Sequence, residues 1–450
     1  MPDAIHDLYQ RLVYPPMSHP LSDPAVSSVA ATLGGLDVPH PRRARILEIG
    51  CSSGHNLIPL AQRWPESRFT GIDLGERAIQ DAGRRAAATG IGNVDFHAVD
   101  LREFEPADGP FDFIIAHGFF SWVSDEAKTA LLEFCRAHLS QSGIATISFN
   151  LECGWKPRLP VIAKVRAIQQ AGGGDVVSLL VILQSVTDAD DTELEIIDDM
   201  LAKGGAILAC DDFAPVNDPW PLDRFVRAAS SAGLRWLGES DPGENLPSEL
   251  SEEFLIELRN QVPDPLAFQL AVDEAVVRKF RSGVLCRDDA PVAGRVSLEK
   301  VMGFSYRTGK HSSTVDEITR VLRSFAPACL PWSELMTGLP GHDAQSVARQ
   351  VFDGITRGRI RPRIEPVSYV SEPPEFPRLD PFNLRCAGES LPLVDVWHQP
   401  CAFPAAHYQI LAVMDGSRRS CELSAFSRSR CPDLNFEPWL RHLAGRGFFR

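Results

Sequence analysis

The chain has 450 residues, of which 44% are hydrophobic, and it carries a formal net charge of −14 with a pI near 5.4. This length exceeds what one compact core usually holds, so we expect two or three globular domains. The acidic balance disfavours nucleic acid as a partner, because a phosphate-binding face needs clustered Lys and Arg, and it favours basic substrates.

The cysteine pattern and the apolar runs restrict the class of protein further. The ten cysteines are scattered and form no C-x-x-C pair, which disfavours a disulfide framework or a Cys-rich zinc site, and we predict no metal centre. No secretory segment stands ahead of Asp3, and no apolar run approaches ~18 residues. We therefore expect a cytoplasmic protein without a membrane span.

Proline divides the N-terminal region, residues 1–43. A helix-like piece, Ile5 to Leu12, is followed by the sequence Tyr14-Pro15-Pro16 and then by an apolar segment, Val26 to Leu36. Prolines break a helical pattern at this point. We predict that residues 1–43 form an N-terminal lid.

The most informative stretch is Glu-Ile-Gly-Cys-Ser-Ser-Gly at Glu48 to Gly54, directly behind the mostly apolar run Ala44 to Leu47. This pattern predicts a buried strand, a tight turn and a helix start. Gly50 lets the backbone approach a ligand closely, and Gly54 opens a helix whose N–H groups face the same crevice. A second strand ends in Asp73, about 20 residues after the turn, where a carboxylate can hold two ribose hydroxyls. Together they predict an adenosine pocket.

The turn also indicates which adenosine ligand fits. A dinucleotide G-x-G-x-x-G fingerprint would need its third glycine at His55, and the Gly-Lys-Ser/Thr of a P-loop is absent. Instead, Glu48, Asp73 and Asp100 place three carboxylates at or near the ends of successive predicted strands. They suit a cation, and S-adenosylmethionine carries ammonium and sulfonium charges. We therefore predict S-adenosylmethionine as the cofactor.

With these residues the sequence resembles the class I S-adenosylmethionine-dependent methyltransferases, although Ser52 stands where many members have a glycine. More specific motifs resemble the methyltransferase regulatory-domain family, which includes bacterial lysine methyltransferases acting on outer-membrane proteins. These motifs are Tyr14-Pro15, His19-Pro20, Asn56-Leu57-Ile58-Pro59, His117-Gly118, Ser121-Trp122-Val123, Asn150, Gly154-Trp155, Val216-Asn217-Asp218-Pro219, Leu285-Cys286-Arg287 and Met414-Asp415-Gly416. The resemblance implies cofactor contacts from Glu48, Gly50, Cys51, Gly54, Asn56, Asp73, Leu74, Asp100, Leu101 and His117.

Strand and helix patterns alternate from Ala44 to Asn150, which predicts an α/β fold with a Rossmann-like parallel sheet. The predicted elements are Arg45 to Ile49, Asn56 to Arg63, Phe69 to Asp73, Ala78 to Ala88, Val94 to Val99, Phe111 to Ala116, Glu126 to His138 and Gly143 to Phe149. Later elements complete the sheet, namely Leu222 to Ser231, Leu234 to Leu237, Leu266 to Phe280 and Gly283 to Arg287. The methyltransferase domain would thus comprise residues 44–150 and 210–288.

Residues 151–209 interrupt this alternation with two helical stretches, Pro160 to Gln170 and Val176 to Leu201. We predict a helical insertion. The second stretch is more apolar than a lone hairpin can bury, which favours a homodimer contact.

The C-terminal region, residues 296–450, is predicted to be a separate winged-helix-like domain. Its pattern consists of Val315 to Ser324, Pro331 to Met336, Ala344 to Arg357 and the strand-like Ile360 to Val370. The fold alone would suggest DNA binding, but acidic residues follow the arginines closely. We predict a protein or peptide docking module and no nucleic-acid partner.

Four residues are candidates for the methyl acceptor site. Tyr14 and Trp122 suit the walls of a lysine channel, His117 suits a proton acceptor, and Asn150 suits orientation of the nucleophile through its amide oxygen. Each also has a purely structural interpretation. His117 can satisfy backbone groups at a sheet edge, Trp122 can belong to the core, and Tyr14 can anchor the N-terminal segment.

The sequence leaves three functions open. Lysine N-methylation of a protein or peptide is the first. The second is O-methylation of a peptide or small-metabolite carboxylate, favoured by Lys156 and Arg158 near the acceptor side and by Phe120 and Phe149, where relatives often have tyrosine. The third is a non-catalytic regulatory protein that binds the cofactor, against which the intact glycines and carboxylates of the pocket argue.

Overall fold

A computed structural model describes residues 14–186, 191–294, 297–309, 316–367, 370 and 372–449. The predicted helix at Ile5 to Leu12 lies outside the described residues. Within the described part of the chain, no helix is long and apolar enough to cross a bilayer. The cytoplasmic location stays a prediction.

A seven-stranded sheet forms the centre of the molecule, in the order β3-β2-β1-β4-β5-β7-β6. The strands are β1 Arg45–Ile49, β2 Arg68–Asp73, β3 Val94–Ala98, β4 Phe111–Ala116, β5 Leu139–Asn150, β6 Leu234–Glu239 and β7 Phe280–Arg287. Strand β7 is antiparallel to both of its neighbours, and the other pairs are parallel. The predicted α/β Rossmann-like sheet is confirmed, including its two closing strands from the later part of the sequence.

The register of β1 brings the predicted cofactor residues to one edge. Ile46 and Leu47 are both fully buried, but they belong to different hydrophobic clusters on the two faces of the sheet. Glu48 pairs with Gly71 of β2, and Asp73 pairs with Ala98 of β3. Parallel strands end at the same edge. The ends of β1 and β2 therefore meet there.

Helices cover both faces of the sheet. They are Leu57–Arg63, Glu76–Thr89, Asp125–His138, Leu222–Ser231, Glu252–Gln261 and Pro265–Ala275. The helix predicted to run to Phe280 ends at Ala275, because Phe280 already pairs with Asn150 as the first residue of β7. The helix Glu252–Gln261 was not predicted from the sequence, because its buried face is limited to Leu255.

The insertion forms a small helical unit with its own core. It contains the helices Leu159–Gln170, Val176–Val186, Asp191–Ala202 and Gly205–Cys210. The predicted single helix Val176 to Leu201 is two helices, and residues 187–190 lie outside the described part. Val181 and Ile182 are about half exposed on the first of them. The homodimer contact stays a prediction.

Residues beyond 296 divide between two cores. Strands β8 Ser305–Thr308, β9 Leu330–Pro331 and β10 Ile360–Arg363 form a three-stranded antiparallel sheet. It packs with the helices Leu298–Met302, Glu317–Ser324, Trp332–Thr337 and Ala344–Thr356. The winged-helix-like character stays a prediction, and Val315 and part of the strand-like Ile360 to Val370 lie outside the described residues.

The last seventy or so residues instead share the core of the large sheet. Leu379, Phe382, Leu440 and Phe449 belong to the same hydrophobic cluster as Ile46 of β1. The helices of this segment are Pro381–Gly388, Ala405–Leu411, Ser420–Arg430 and Phe436–Gly445. The region predicted as one unit, residues 296–450, therefore contributes to two cores.

An N-terminal helix, Pro24–Leu33, lies between these parts and is largely buried. Its N-cap, Asp23, is fully buried and accepts hydrogen bonds from Arg63 and Arg363, each at 2.7 Å. One carboxylate thus joins the N-terminal segment, the helix after β1 and strand β10. The second half of residues 1–43, which were predicted to form a lid, is thus built into the core. The lid itself stays a prediction.

We expect Asp23→Asn to lower the free energy of unfolding by about 3–5 kcal/mol. The amide keeps the shape and the helix cap, but it leaves two arginines without their shared counter-charge. Glu66→Gln is the matched control, because Glu66 pairs with Arg43 at the exposed surface, where such pairs contribute about 0–1 kcal/mol. Urea denaturation of both variants measures the difference, and equal losses would contradict the structural role of Asp23.

Candidate active site

A cavity of about 1100 Å³ opens at the edge where β1, β2, β4 and β5 end. Its wall includes almost every residue predicted for the site, namely Tyr14, Glu48, Gly50, Cys51, Asn56, Asp73, Leu74, Asp100, Leu101, His117, Trp122 and Asn150. Gly54 is the one predicted residue not on this wall. The roles of these residues stay predictions, and their placement is as follows.

The turn after β1 is built from a backbone conformation that favours glycine. Gly50 has a φ of 76°, and its N–H and that of Cys51 both donate to the carbonyl of Ile72, at 2.8 and 3.1 Å. Ser52 also adopts a positive φ, 46°, and its N–H donates to Asp73 Oδ2 at 2.8 Å. The serine that replaces the usual glycine therefore occupies the left-handed region while its backbone holds the ribose-binding candidate.

Gly54 has a packing role. With a φ of 71°, it places its α-carbon so that an added Cβ would lie 2.9 Å from Phe96 Cζ and 3.0 Å from the Ala82 side chain. The helix that follows begins at Leu57 rather than at Gly54. Gly54 therefore allows the turn to approach the neighbouring helix and strand.

Glu48 is a buried carboxylate with one unpaired oxygen. Its Oε1 accepts a hydrogen bond from Asn56 Nδ2 at 2.7 Å, whereas Oε2 has no hydrogen-bond partner among the described residues. Burial raises the pKa of Glu48 to about 8, with a further contribution from the charge of Asp73 and against the effect of the Asn56 bond. An orphaned buried oxygen of this kind fits a cationic ligand. This observation supports the prediction of a ligand that carries ammonium and sulfonium charges.

Asn56 uses both ends of its amide inside the protein. Besides Glu48, its Nδ2 donates to Ser22 Oγ at 3.0 Å. Its Oδ1 accepts from the His19 N–H and contacts His398 Nε2, both at 2.8 Å. Asn56 therefore positions Glu48 and ties it to segments from both ends of the chain.

Asp73 lies where a ribose-binding carboxylate is expected. Its oxygens accept backbone N–H groups from Ser52 and from Gly75, both at 2.8 Å, and the backbone of Leu74 forms a further hydrogen bond to it. Each carboxylate oxygen can accept a second hydrogen bond, so the side chain is oriented and still able to bind hydroxyls. Asp100 forms a two-pronged pair with Arg102, and this hydrogen bonding holds the pKa of Asp100 below its ordinary value.

His117 lies at the end of β4 and stacks on His19, with ring centroids 3.9 Å apart. Burial lowers the pKa of His117 well below its ordinary value, and the neighbouring His19 lowers it further. Its Nδ1 has no hydrogen-bond partner among the described residues. The imidazole is thus neutral near pH 7 and presents an unengaged nitrogen.

The part of the cavity that is predicted to hold the acceptor contains Asn150 and aromatic rings. Asn150 is held by Ser121 Oγ, which accepts its backbone N–H at 2.8 Å, and by Asn217, whose Oδ1 accepts from Nδ2 at 3.0 Å. Trp122 and Trp155 meet edge to face with centroids 6.0 Å apart. The fixed amide and the paired rings form a shaped, largely apolar slot.

Several residues of the cavity wall were not predicted from the sequence. Asp211 and Lys128 both line the cavity, and neither stands in a recognisable motif. Lys128 is buried and pairs with Asp125 and Asp218. Asp218 belongs to the Val216 to Pro219 motif, so this resemblance was the available signal for it.

We expect Asp73→Ala to abolish measurable cofactor binding, because the variant loses both the ribose acceptor and the bonds that hold the turn. Asp95→Ala is the matched control, since Asp95 is an exposed residue on the adjacent strand β3. Calorimetry with S-adenosylhomocysteine measures affinity, and thermal unfolding checks the fold. Wild-type affinity in a folded Asp73→Ala protein would remove this residue from the site.

We expect the protein to release a proton when it binds S-adenosylhomocysteine near pH 7. With a pKa of about 8, Glu48 is mostly protonated in the empty pocket, and a bound ammonium favours the carboxylate. The affinity should therefore rise with pH up to about 8. Calorimetry in buffers of different ionisation enthalpy measures the proton, and Glu48→Gln should abolish its release. Identical release in this variant would assign the proton to another group.

Two family matches cover separate parts of the chain. Residues 46–143 match the family described as "Methyltransferase domain", and residues 205–287 match "Predicted methyltransferase regulatory domain". The first match contains β1 to β4 and the turn that borders the cavity. The second contains both closing strands, β6 and β7, in full.

Relatives and solved structures agree with these matches. An uncharacterized protein of Rickettsia prowazekii is 25% identical over 67% of this chain, and the match spans 56% of that protein. A trans-aconitate 2-methyltransferase of Streptomyces avermitilis is 38% identical, over 18% of this chain and 30% of its own length. The structure of PKMT2 from Rickettsia typhi in complex with AdoHcy has a TM-score of 0.81, with 97% of this chain and 99% of that chain covered at 17% identity.

The fold of PKMT2 is therefore the fold of this chain. The methyltransferase domain match includes the turn and the carboxyl groups that the sequence predicts for cofactor binding, and these line the cavity. Residues 46–143 are therefore a methyltransferase domain on a class I fold, with S-adenosylmethionine as its cofactor.

Proposed function

We propose that the protein methylates an amine of a protein or peptide, most specifically the side chain of lysine. The observation that carries this proposal is the charge of the acceptor side. Its described cations are paired with carboxylates, whereas its rings and further carboxylates suit a positively charged acceptor. The bound cofactor supplies an electrophilic methyl group on a sulfonium.

The chain's own residues would position and desolvate the acceptor. Methyl transfer is an in-line displacement, so most of the rate gain comes from positioning. A lysine, with an ordinary pKa of ~10.4, must lose a proton first, and an apolar slot favours its neutral form. Trp122 and Trp155 supply such a slot, and the oriented amide of Asn150 can accept a hydrogen bond from the amine.

In the sequence, Lys156 and Arg158 favour a carboxylate acceptor, but the positions of these two residues do not support it. Lys156 is exposed and Arg158 is buried, and neither lines the cavity. Arg158 instead pairs with Asp199 and with Asp212. Lys128 and Arg102, the cations on the described part of the wall, are already paired with carboxylates. A carboxylate substrate would therefore meet no unpaired counter-charge there.

The two phenylalanines that stand in place of tyrosine are core residues. Phe120 and Phe149 are fully buried, and both pack against the ring of Phe225. Neither lines the cavity, so the missing hydroxyls would not have contacted an acceptor there. Their absence therefore does not count against an amine.

We expect Asn150→Ala to lower turnover about 100-fold or more while cofactor affinity changes little, because Asn150 acts on the acceptor. Asn260→Ala is the control, since Asn260 is an exposed amide on the helix Glu252–Gln261. Turnover is measured as transfer of isotopically labelled methyl to protein or peptide, and affinity by calorimetry. Equal turnover in Asn150→Ala and wild type would return Asn150 to a structural role.

The chemistry of the product tests the proposed acceptor. Incubation of a bacterial protein extract or peptide mixture with labelled S-adenosylmethionine, followed by mass spectrometry, locates the methyl group. We expect a label on lysine that survives mild base. A base-labile label on a carboxylate would identify an O-methyltransferase, and cofactor binding without label on any acceptor would support a regulatory role.

A further inference from the structure

Two adjacent carboxylates, Asp211 and Asp212, follow the last helix of the insertion and differ in their partners. Asp212 is almost fully buried, and its carboxylate accepts from Arg158 Nη1 at 2.7 Å and from Lys203 Nζ at 2.6 Å. Both nearby cations are therefore engaged by Asp212. This pairing leaves the neighbouring carboxylate in a different electrostatic environment.

Asp211 lines the cavity, and its side chain forms a hydrogen bond with Tyr14. No ion pair to Asp211 occurs among the residues that the structure describes. Burial raises the pKa of Asp211 to about 6, although Lys203 lowers it, and the charge of Asp212 adds to the increase. The Tyr14 phenol orients this carboxylate without neutralising it, and the nearby Lys203 acts on it only from a distance, because Lys203 forms its ion pair with Asp212.

Aromatic rings share the cavity wall with Asp211. Tyr14, Trp122 and Trp155 all line it, and the two tryptophans are in edge-to-face contact. Lysine combines an apolar four-carbon stem with a charged end, and such side chains pack their stems on apolar surfaces and their ammonium groups near ring faces or carboxylates. The wall offers both surfaces that this side chain requires.

We propose that Asp211, held in place by Tyr14, binds the ammonium group of the incoming lysine. This inference rests on the proposed amine methylation and adds the residues that select the acceptor. Asp211 attracts the cationic form to the slot, and Tyr14 fixes the direction of the carboxylate. A carboxylate acceptor would be repelled by the same group.

Binding of n-butylammonium, the side chain of lysine without its backbone, tests this inference independently of turnover. The probe is titrated by NMR into full-length protein saturated with S-adenosylhomocysteine. We expect saturable binding to the wild type, and a loss of about tenfold to hundredfold in affinity for Asp211→Asn. Tyr14→Phe should weaken binding less, because the carboxylate keeps its charge. Affinity for S-adenosylhomocysteine should not change in either variant.

Glu195→Gln is the matched control, since it removes one negative charge from an exposed position in the same insertion. Unchanged n-butylammonium binding in this control supports a local effect of Asp211. Equal losses in both variants would indicate a general effect of net charge and would overturn the inference. Wild-type binding by Asp211→Asn, or no saturable binding to the wild type, would also overturn it.

Turnover separates this inference from the proposed function. With a lysine peptide identified as an acceptor, Asp211→Asn should raise KM about tenfold or more and change kcat less, because Asp211 acts in acceptor binding. An unchanged KM with stable lysine methylation would remove Asp211 and leave amine methylation intact. A label found only on carboxylates would instead overturn the proposed function itself.

Discussion

The position of the buried carboxylate Glu48 depends on one amide, that of Asn56. Asn56 donates to Glu48 and is itself held by Ser22, the backbone of His19 and the ring of His398. These partners come from the first thirty residues of the chain and from its last sixty. An unpaired buried oxygen is costly unless a ligand completes it, so the whole chain, rather than the sheet domain alone, keeps the cofactor site ready.

Charge complementarity connects the two halves of the cavity. On the predicted cofactor side, Glu48 and Asp73 carry carboxyl groups. On the proposed acceptor side, Asp211 forms no ion pair with any described residue, and Lys128 is already paired with Asp125 and Asp218. In the proposed methylation of an amine, the positive charge moves from sulfur to the acceptor nitrogen. A cavity built in this way favours the charged donor over its neutral thioether product, which assists exchange of the cofactor after each cycle.

The sequence was sufficient for the parts of the fold that local patterns determine. The apolar strands, the turn at Gly50 and the carboxylate at Asp73 lie close together in the chain, and hydrophobic alternation and glycine placement follow from backbone geometry. The closing strand Phe280–Arg287 was predicted too short, because its first residues read as the end of a helix. Their pairing with Asn150, Phe149 and Ser148 is a tertiary interaction that no local pattern reports.

Other features depended on contacts between distant segments. Asp211 and Asp212 are identical in sequence terms, and only the folded positions of Arg158 and Lys203 distinguish the paired carboxylate from the one on the cavity wall. Likewise, the segment after Leu379 has amphipathic helices whose apolar partners belong to the helices next to β1. A domain boundary drawn from composition could not separate it from the three-stranded sheet.

The shared core of the sheet and the final helices determines how the enzyme can be divided. Phe382, Leu440 and Phe449 pack in one cluster with Leu57 and Ile58 of the cofactor-binding region, and His55 Nε2 lies 2.8 Å from the carbonyl of Pro392. Removal of the C-terminal segment would expose a broad apolar face beside the nucleotide turn. The catalytic half therefore cannot be excised as an autonomous module, and fusion or truncation designs must retain the chain through Phe449.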